Sequence, residues 1–595
     1  MNLIYGTMTG TTVATYLGKA TSLLRHTVRY SMGMSVIGTS VHAPLFDATS
    51  GRRYSCRAFT KHKIALANES NFLGRNGANK VTSGVTRRTT QTDLECGKVS
   101  KKRGRQRRYQ IFLAVGSNQG DSFSNIATGI QLLCDPDFSN ESYHFTDFVR
   151  SSFLYYTKPM YVTNQDSFWN GAVELDTDCD PASLLRRLKV VEEHMGRNLT
   201  KIRNGPRPLD LDILLCYDNN NDKEKSEEST PTPVIIETSD LVIPHPRLKE
   251  REFVLAPLID IAGRDLIHPA PENKIPESLG DLLDDLVVSA IGDAGEASAT
   301  RLMPLPRERF ILFDQTIVMG ILNITPDSFS DGGKWTDSVD QALARAMEMI
   351  DEGATIVDIG GESTRPGAAE ISMEEQIGRT VPVIEAIRKR SKEVVLSIDT
   401  RHAVVARAAV EAGADIVNDV SGGAHDADML PTVADMKVPI VLMHMRGNPQ
   451  SMQDLTDYED QGGVVDGVVD ALLERSRAAE DAGIPRWIQI LDPGIGFAKD
   501  MEGNLSLLKK YSHLRSKLGD FPLLLGTSRK RFIGELSGEA IAEERDFGTA
   551  GSCVAALCLG NDRKDNTLGC NVLRVHNVKG AKQATVVMDA IVKAK

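Results

Sequence analysis

Residues 205–215, GPRPLDLDILL, place Asp210 and Asp212 one residue apart among leucines. On a strand the two acids share one face, while Leu211 and Ile213 share the other. Two neighbouring carboxylates repel, so the pair is costly unless something neutralises it. Magnesium prefers oxygen donors and usually takes one or two carboxylates plus phosphates. Arg203 and Arg207, just upstream, add planar forks suited to phosphate oxygens. The pattern points to a metal–polyphosphate centre. A solvated strand face, with its acids balanced by the arginines, is the alternative. No Gly-x4-Gly-Lys-Ser/Thr occurs, which excludes a P-loop. If ATP is the donor, arginines and metal ions must handle its phosphates. Glu192 and His245 flank the stretch as further polar candidates.

A second set of polar residues recurs between 309 and 595, each at the end of a short apolar run: Asn323, Thr364, Asp399, Asn418, His444, Asp492, Ser528, Arg574 and His576. Turn and cap preferences account for any one of them. Together they describe the mouth of a site. The carboxylates Asp399 and Asp492 and the Asn418 amide suit a flat heterocycle rich in N–H donors and acceptors. Arg574, His576 and Lys530 suit an anion. The combination suggests a phosphorylated ring compound.

The elements that must position these groups follow from periodicity. Eight apolar runs begin near residues 317, 355, 394, 415, 439, 487, 522 and 571, with helix-length patterns between most of them. DEGA (351–354), EAGA (411–414) and DAGI (481–484) each close a helix with a glycine suited to a left-handed turn. Continuous apolar runs indicate strands buried on both faces, hence a parallel sheet. Eight units predict a (β/α)8 barrel, whose active site lies at the C-terminal strand ends. A doubly wound open sheet is the competing architecture. Upstream, core-like sequence spans 109–270. It includes a helix over 180–197 with Asp180 as cap and Pro181 in its first turn. The stretch 217–233 is polar and acidic and reads as a surface insertion, and 271–308 reads as a linker with one short helix at most.

The chain has 595 residues and a net charge of -11, unevenly spread. Residues 1–108 hold 19 Lys/Arg against four acids, with no acid before Asp47. That composition predicts an unfolded targeting tail, mitochondrial first and plastid or cytosolic after it. The run KKRGRQRR (101–108) also fits a nuclear or nucleic-acid patch, but no aromatic platform or DNA-binding module follows it. Nucleic acid is therefore not an expected partner. The eight cysteines form no Cys-x-x-Cys, which argues against a zinc site. No apolar run is long enough to span a bilayer, so no membrane is expected either.

The motifs of 309–595 resemble dihydropteroate synthase throughout: GILNITPDSFSDGG, GGESTRPG, SIDT, VNDV, LMHMRGNPQSMQ, LDPGIGF, GTSRKRFIG and RVHNV. The resemblance implies that 4-aminobenzoate attacks the exocyclic methylene of a dihydropterin diphosphate and expels diphosphate. It implies that Asp399, Asn418, Asp492 and Lys530 bind the pterin. Asn323, Arg574 and His576, with one magnesium ion, would hold the diphosphate. Thr364, Arg365, Pro366 and Ser528 would shape the aminobenzoate site. Pterin-barrel methyltransferases share the heterocycle readers, but they would not need the Ser528-Arg529-Lys530 and Arg574-x-His576 anion cradle.

The segment 109–270 resembles 6-hydroxymethyl-7,8-dihydropterin pyrophosphokinase through LAVGSNQGD, YTKP, DSFWNGAVEL, VEEHMGR, RNGPRPLDLDILL and IPHPRLKEREFVLAPL. The resemblance implies an α+β, ferredoxin-like domain in which Asp210 and Asp212 bind two magnesium ions bridging ATP. Glu192, Arg203, His245 and Arg251 would contact ATP, with Arg207 at the catalytic centre. Thr157, Pro159, Phe168, Asn170 and Phe253 would form the pterin pocket. Asn204 stands where an aromatic often precedes Gly-Pro-Arg. Together the two resemblances imply consecutive reactions on ATP, hydroxymethyldihydropterin and 4-aminobenzoate, in a chain that self-associates through its barrel. The alternative is a pterin-binding scaffold with one inactive domain.

Overall fold

The computed structural model describes residues 108–138, 146–198, 204–219, 231–269, 276–291, 299–324, 335–363, 370–560 and 569–593. All of the expected 1–108 tail except Arg108, together with Arg203, Thr364, Arg365, Pro366 and most of the 217–233 insertion, lies outside the described residues.

The first region is a βαβββαβ unit. Strand β1 (Tyr109–Ser117) leads to α1 (Ser122–Cys134), which starts where the Asp121 side chain accepts the Ser124 N–H. Then come β2 (Thr146–Ser151), β3 (Leu154–Thr157) and β4 (Phe168–Thr177). Helix α2 (Pro181–His194) is capped by Asp180 as expected, and β5 (Asp210–Asp218) follows it. The order β3-β4-β1-β5, antiparallel throughout, is the ferredoxin-like arrangement; β2 also pairs with β4. Strand alternation divides the core. Ile111, Leu113 and Val115 join the cluster containing α1 and α2 residues, while Phe112 and Ala172 join α3 (Glu252–Ala262) and α4 (Leu279–Ile291). Strand β6 (Thr232–Pro233) pairs antiparallel with the end of β5, and β7 (Ile236–Glu237) pairs with β8 (Val242–Ile243).

The structure differs from the expected linker at 271–308. After α4 the chain forms β9 (Ala299–Leu305) and β10 (Arg309–Leu312), an antiparallel hairpin whose β9 pairs with β3 at the edge of the first sheet. Short β strands whose partner strand lies about 145 residues earlier leave little local signal.

The eight runs foreseen for the barrel hold its eight strands: β11 (Ile317–Asn323), β12 (Ile356–Gly360), β13 (Val395–Asp399), β14 (Ile416–Asp419), β15 (Ile440–Met443), β16 (Gln489–Asp492), β17 (Leu524–Leu525) and β18 (Val572–Val575). All pair in parallel, from β16 through β11 to β18 and β17. A parallel bridge between Leu491 and Leu523 brings the two ends together, so the barrel nearly closes and the open-sheet alternative falls. Gly353, Gly413 and Gly483 take φ of 103°, 123° and 98°, the left-handed turns their position called for.

Candidate functional site

Two groups of polar side chains answer to the sequence. In the first region, β5 carries Asp212 and Asp210 opposite Ala114 and Gly116 of β1, while Leu211 and Ile213 enter the core on the other face. A Cβ on Gly116 would lie 2.8 Å from Asn170 Oδ1, so glycine there keeps the strands' shared face open. The face forms the floor of a cavity of about 530 Å³, which also takes in Arg207, His245, Arg251 and Phe253. Arg197 donates to Asp210 at 2.7 Å, and Arg207 lies 3.5 Å from the same carboxylate. The backbone of Arg207 is clamped by Asn118, whose side chain accepts its N–H at 2.9 Å. Arg207 also lies over the Phe168 ring at 5.4 Å, and Arg251 over Phe253 at 5.6 Å. The Nε atoms of Arg207 and Arg251 are buried with no hydrogen-bond partner among the described residues. Asn170 donates to Thr157 Oγ1 at 2.7 Å beside Phe168. Burial lowers the pKa of His245, and the Asp212 charge opposes this. Its Nδ1 accepts the Arg247 backbone N–H at 3.2 Å.

Glu192 and Pro159 are placed differently from the expectation. Pro159 is not among the cavity's lining residues. Glu192 is fully buried and makes no part of the lining; it accepts from Leu211 N at 2.7 Å, from Lys189 at 2.9 Å and from Arg197. With no exposed surface, the Glu192 carboxylate spends its hydrogen bonds on Leu211, Lys189 and Arg197. The sequence reading gave Arg197, at the end of the helix pattern, no role, because nothing in helix spacing marks its return to β5. Asn204 takes φ +63°, a left-handed conformation asparagine tolerates, and lines the cavity.

At the barrel's C-terminal end, Arg574 from β18 donates from Nε to Asp358 and from NH2 to Asp399, both at 2.6 Å. Asn418 donates to the same Asp358 oxygen at 3.0 Å. Asp358 is completely buried in β12, and its Oδ1 has no hydrogen-bond partner among the described residues. The sequence reading gave it no role, although it stands inside the apolar run TIVDIG. Burial pushes Asp399 up to about 7 against the pull of Arg574. Burial also raises Asp492, whose Oδ1 accepts the Gly494 N–H at 2.7 Å. Lys530 is lowered to about 8 by burial, with Asp492 opposing, and its ammonium sits 4.5 Å from the Phe497 ring centre. Ser528 Oγ accepts the His576 N–H at 3.1 Å and lies 2.9 Å from its Nδ1. Asn323 ends β11, paired with Gly360. His444 lies beneath the mouth, its Nδ1 2.9 Å from the Nζ of buried Lys499.

The chain is similar to known proteins over both regions. The 7,8-dihydro-6-hydroxymethylpterin-pyrophosphokinase family matches residues 112–263, and the pterin binding enzyme family matches 319–576. A "folate synthesis bifunctional protein, mitochondrial" of Pisum sativum is 40% identical over 508 residues, covering 82% of this chain and 90% of the relative. A "folate synthesis bifunctional protein" of Arabidopsis thaliana is 39% identical over 505 residues, covering 81% and 96%. The solved dihydropteroate synthase of Xanthomonas albilineans, with 4-aminobenzoic acid, is 41% identical, with a TM-score of 0.44, and covers 49% of this chain and 100% of that one.

Proposed function

The chain belongs to the bifunctional folate-synthesis family, joining a dihydropterin pyrophosphokinase to a dihydropteroate synthase, and from that premise we propose how its residues divide the two reactions. The observation that carries the proposal is the pair of carboxylates meeting convergent arginines in the first cavity. ATP is its diphosphate donor. Asp210 and Asp212, on one face of β5 in the cavity, fit a magnesium–polyphosphate centre, in which they would hold the metal together with ATP phosphate oxygens. Two magnesium ions there, when bound, neutralise the phosphate charge. Arg207, Arg251 and His245 orient the triphosphate, with Arg203 assigned to the same task. Thr157, Phe168, Asn170 and Phe253 seat the pterin. The hydroxymethyl oxygen displaces AMP and keeps the diphosphate.

In the barrel, Asp358, Asp399, Asn418 and Asp492 read the pterin edge, and Lys530 supplies a cation beside it. Arg574 holds Asp358 and Asp399 in place, which makes it an organiser of that edge as well as a neighbour of the diphosphate. His576 and Ser528 form one hydrogen-bonded unit, with Asn323 giving a single oxygen donor for one magnesium ion. Thr364, Arg365 and Pro366 are assigned to the aminobenzoate. Fixed dipoles and cations aimed at a departing diphosphate stabilise charge that develops in the transition state. A scaffold with one inactive domain is not favoured, because both regions retain their polar groups.

Assays of AMP release and of dihydropteroate formation separate the sites. Asp210→Ala is expected to abolish the first and spare the second when pterin diphosphate is supplied; Arg574→Ala does the reverse. Loss of both activities in either variant would refute separate sites. The basic composition of residues 1–108, and a relative named as mitochondrial, support the same address for this chain.

A further inference from the structure

The β9–β10 hairpin is buried on two faces for two different cores. Met303, Leu305, Ile311 and Phe313 cluster with Ile317, Met319, Ile356, Val395, Ile416, Val441, Ile490, Leu524 and Val572, residues contributed by all eight barrel strands. This plug closes the barrel at the end opposite its site. Leu302, of the other parity, belongs to the first region's core, and Leu312 packs against it. Arg307 and Arg309 lock the ribbon to fully buried Asp415, which Arg388 also grips at 2.7 Å.

The outward parity reaches the pyrophosphokinase pocket from behind. Phe310 stacks on Tyr156 with ring centres 5.4 Å apart, and meets the edge of Trp169 at 5.5 Å. Tyr156 and Trp169 are cross-strand partners. Their chain neighbours on the opposite face are Thr157, Phe168 and Asn170, the proposed pterin seat. On that front face Arg301, opposite Tyr155, donates to its hydroxyl at 3.0 Å.

We propose that the 299–313 ribbon is a positioning element for the pyrophosphokinase, with Phe310 as the positioning residue that holds β3 and β4 flat behind the pterin seat. The barrel thereby serves the first reaction as the anchor of that ribbon. The proposal rests on the reading of the first cavity given above.

Phe310 is 37% exposed, so its truncation leaves the core intact. In the full-length chain, Phe310→Ala is expected to raise KM for hydroxymethyldihydropterin about two- to tenfold, the scale of one aromatic contact. The KM for ATP, the kcat of AMP release, and dihydropteroate formation from supplied pterin diphosphate stay at wild-type values, and Phe310→Tyr restores the pterin KM. Should the alanine chain prove insoluble, Phe310→Leu carries the same readings. An unchanged pterin KM, a parallel shift of both KM values with kcat, or failure of tyrosine to rescue would overturn the proposal. Absence of pterin-dependent AMP release in the unmodified chain would instead overturn the reading of the cavity.

Discussion

Asp399 and Lys530 lie at the same barrel mouth, and burial moves both toward neutrality from opposite directions. Asp399, raised to about 7, loses its negative charge as pH falls through that value. Lys530, lowered to about 8, loses its positive charge as pH rises through that one. A carboxylate acceptor is needed for pterin N–H donors, and the cation supports the same ligand. Synthase kcat/KM for pterin diphosphate should therefore peak between about 7 and 8 and fall on either side. Lys530→Arg, a group charged at every accessible pH, is expected to move the alkaline limb upward. A profile flat from pH 6 to 9 in the wild type would contradict both assignments. Asp399 stood out in the sequence because it closes an apolar run, and Lys530 because it follows the run that ends at Ser528. The Arg574 bridge did not, since its two partners lie 175 and 216 residues away in the chain.

Three neighbouring barrel helices carry an unusual amount of exposed apolar surface. Leu536 on Arg531–Ser537, Phe547 and Leu559 on Asp546–Leu559, and Val586, Val587 and Ile591 on Val578–Lys593 are all exposed, Phe547 at 94%. Such a face is a candidate for self-association, in line with the expected homo-oligomer. Sedimentation should show an assembly larger than one chain, and Phe547→Asp should convert it to monomers without loss of folding. A monomeric wild type would remove the proposal. At this scale strand periodicity was dependable: the alternation at 210–213 and the eight runs appear in the structure where the pattern put them. The 299–312 hairpin escaped because its two faces serve different cores, so apolar residues occupy both parities and no alternation remains to read.

For the molecule as a whole, the charge asymmetry has its own consequence. A fluorescent fusion of residues 1–108 should enter mitochondria; cytosolic retention would contradict the assigned address. Composition and periodicity by themselves determined a basic leader-like stretch, a core-like region over 109–270 and a parallel barrel, while the two motif resemblances implied the α+β class of the first region and many of the groups expected at each site. These are short-range properties: a residue's parity, a cap, a turn after a strand. Tertiary structure alone decided that Glu192 lies behind Arg197, that Arg574 is held by Asp358 and Asp399, and that the supposed linker plugs one domain while bracing the other. The last two are contacts between segments far apart in sequence. Which distant partner a buried charge or a two-faced strand meets is settled by packing, through the need to pair every desolvated charge and cover every apolar face.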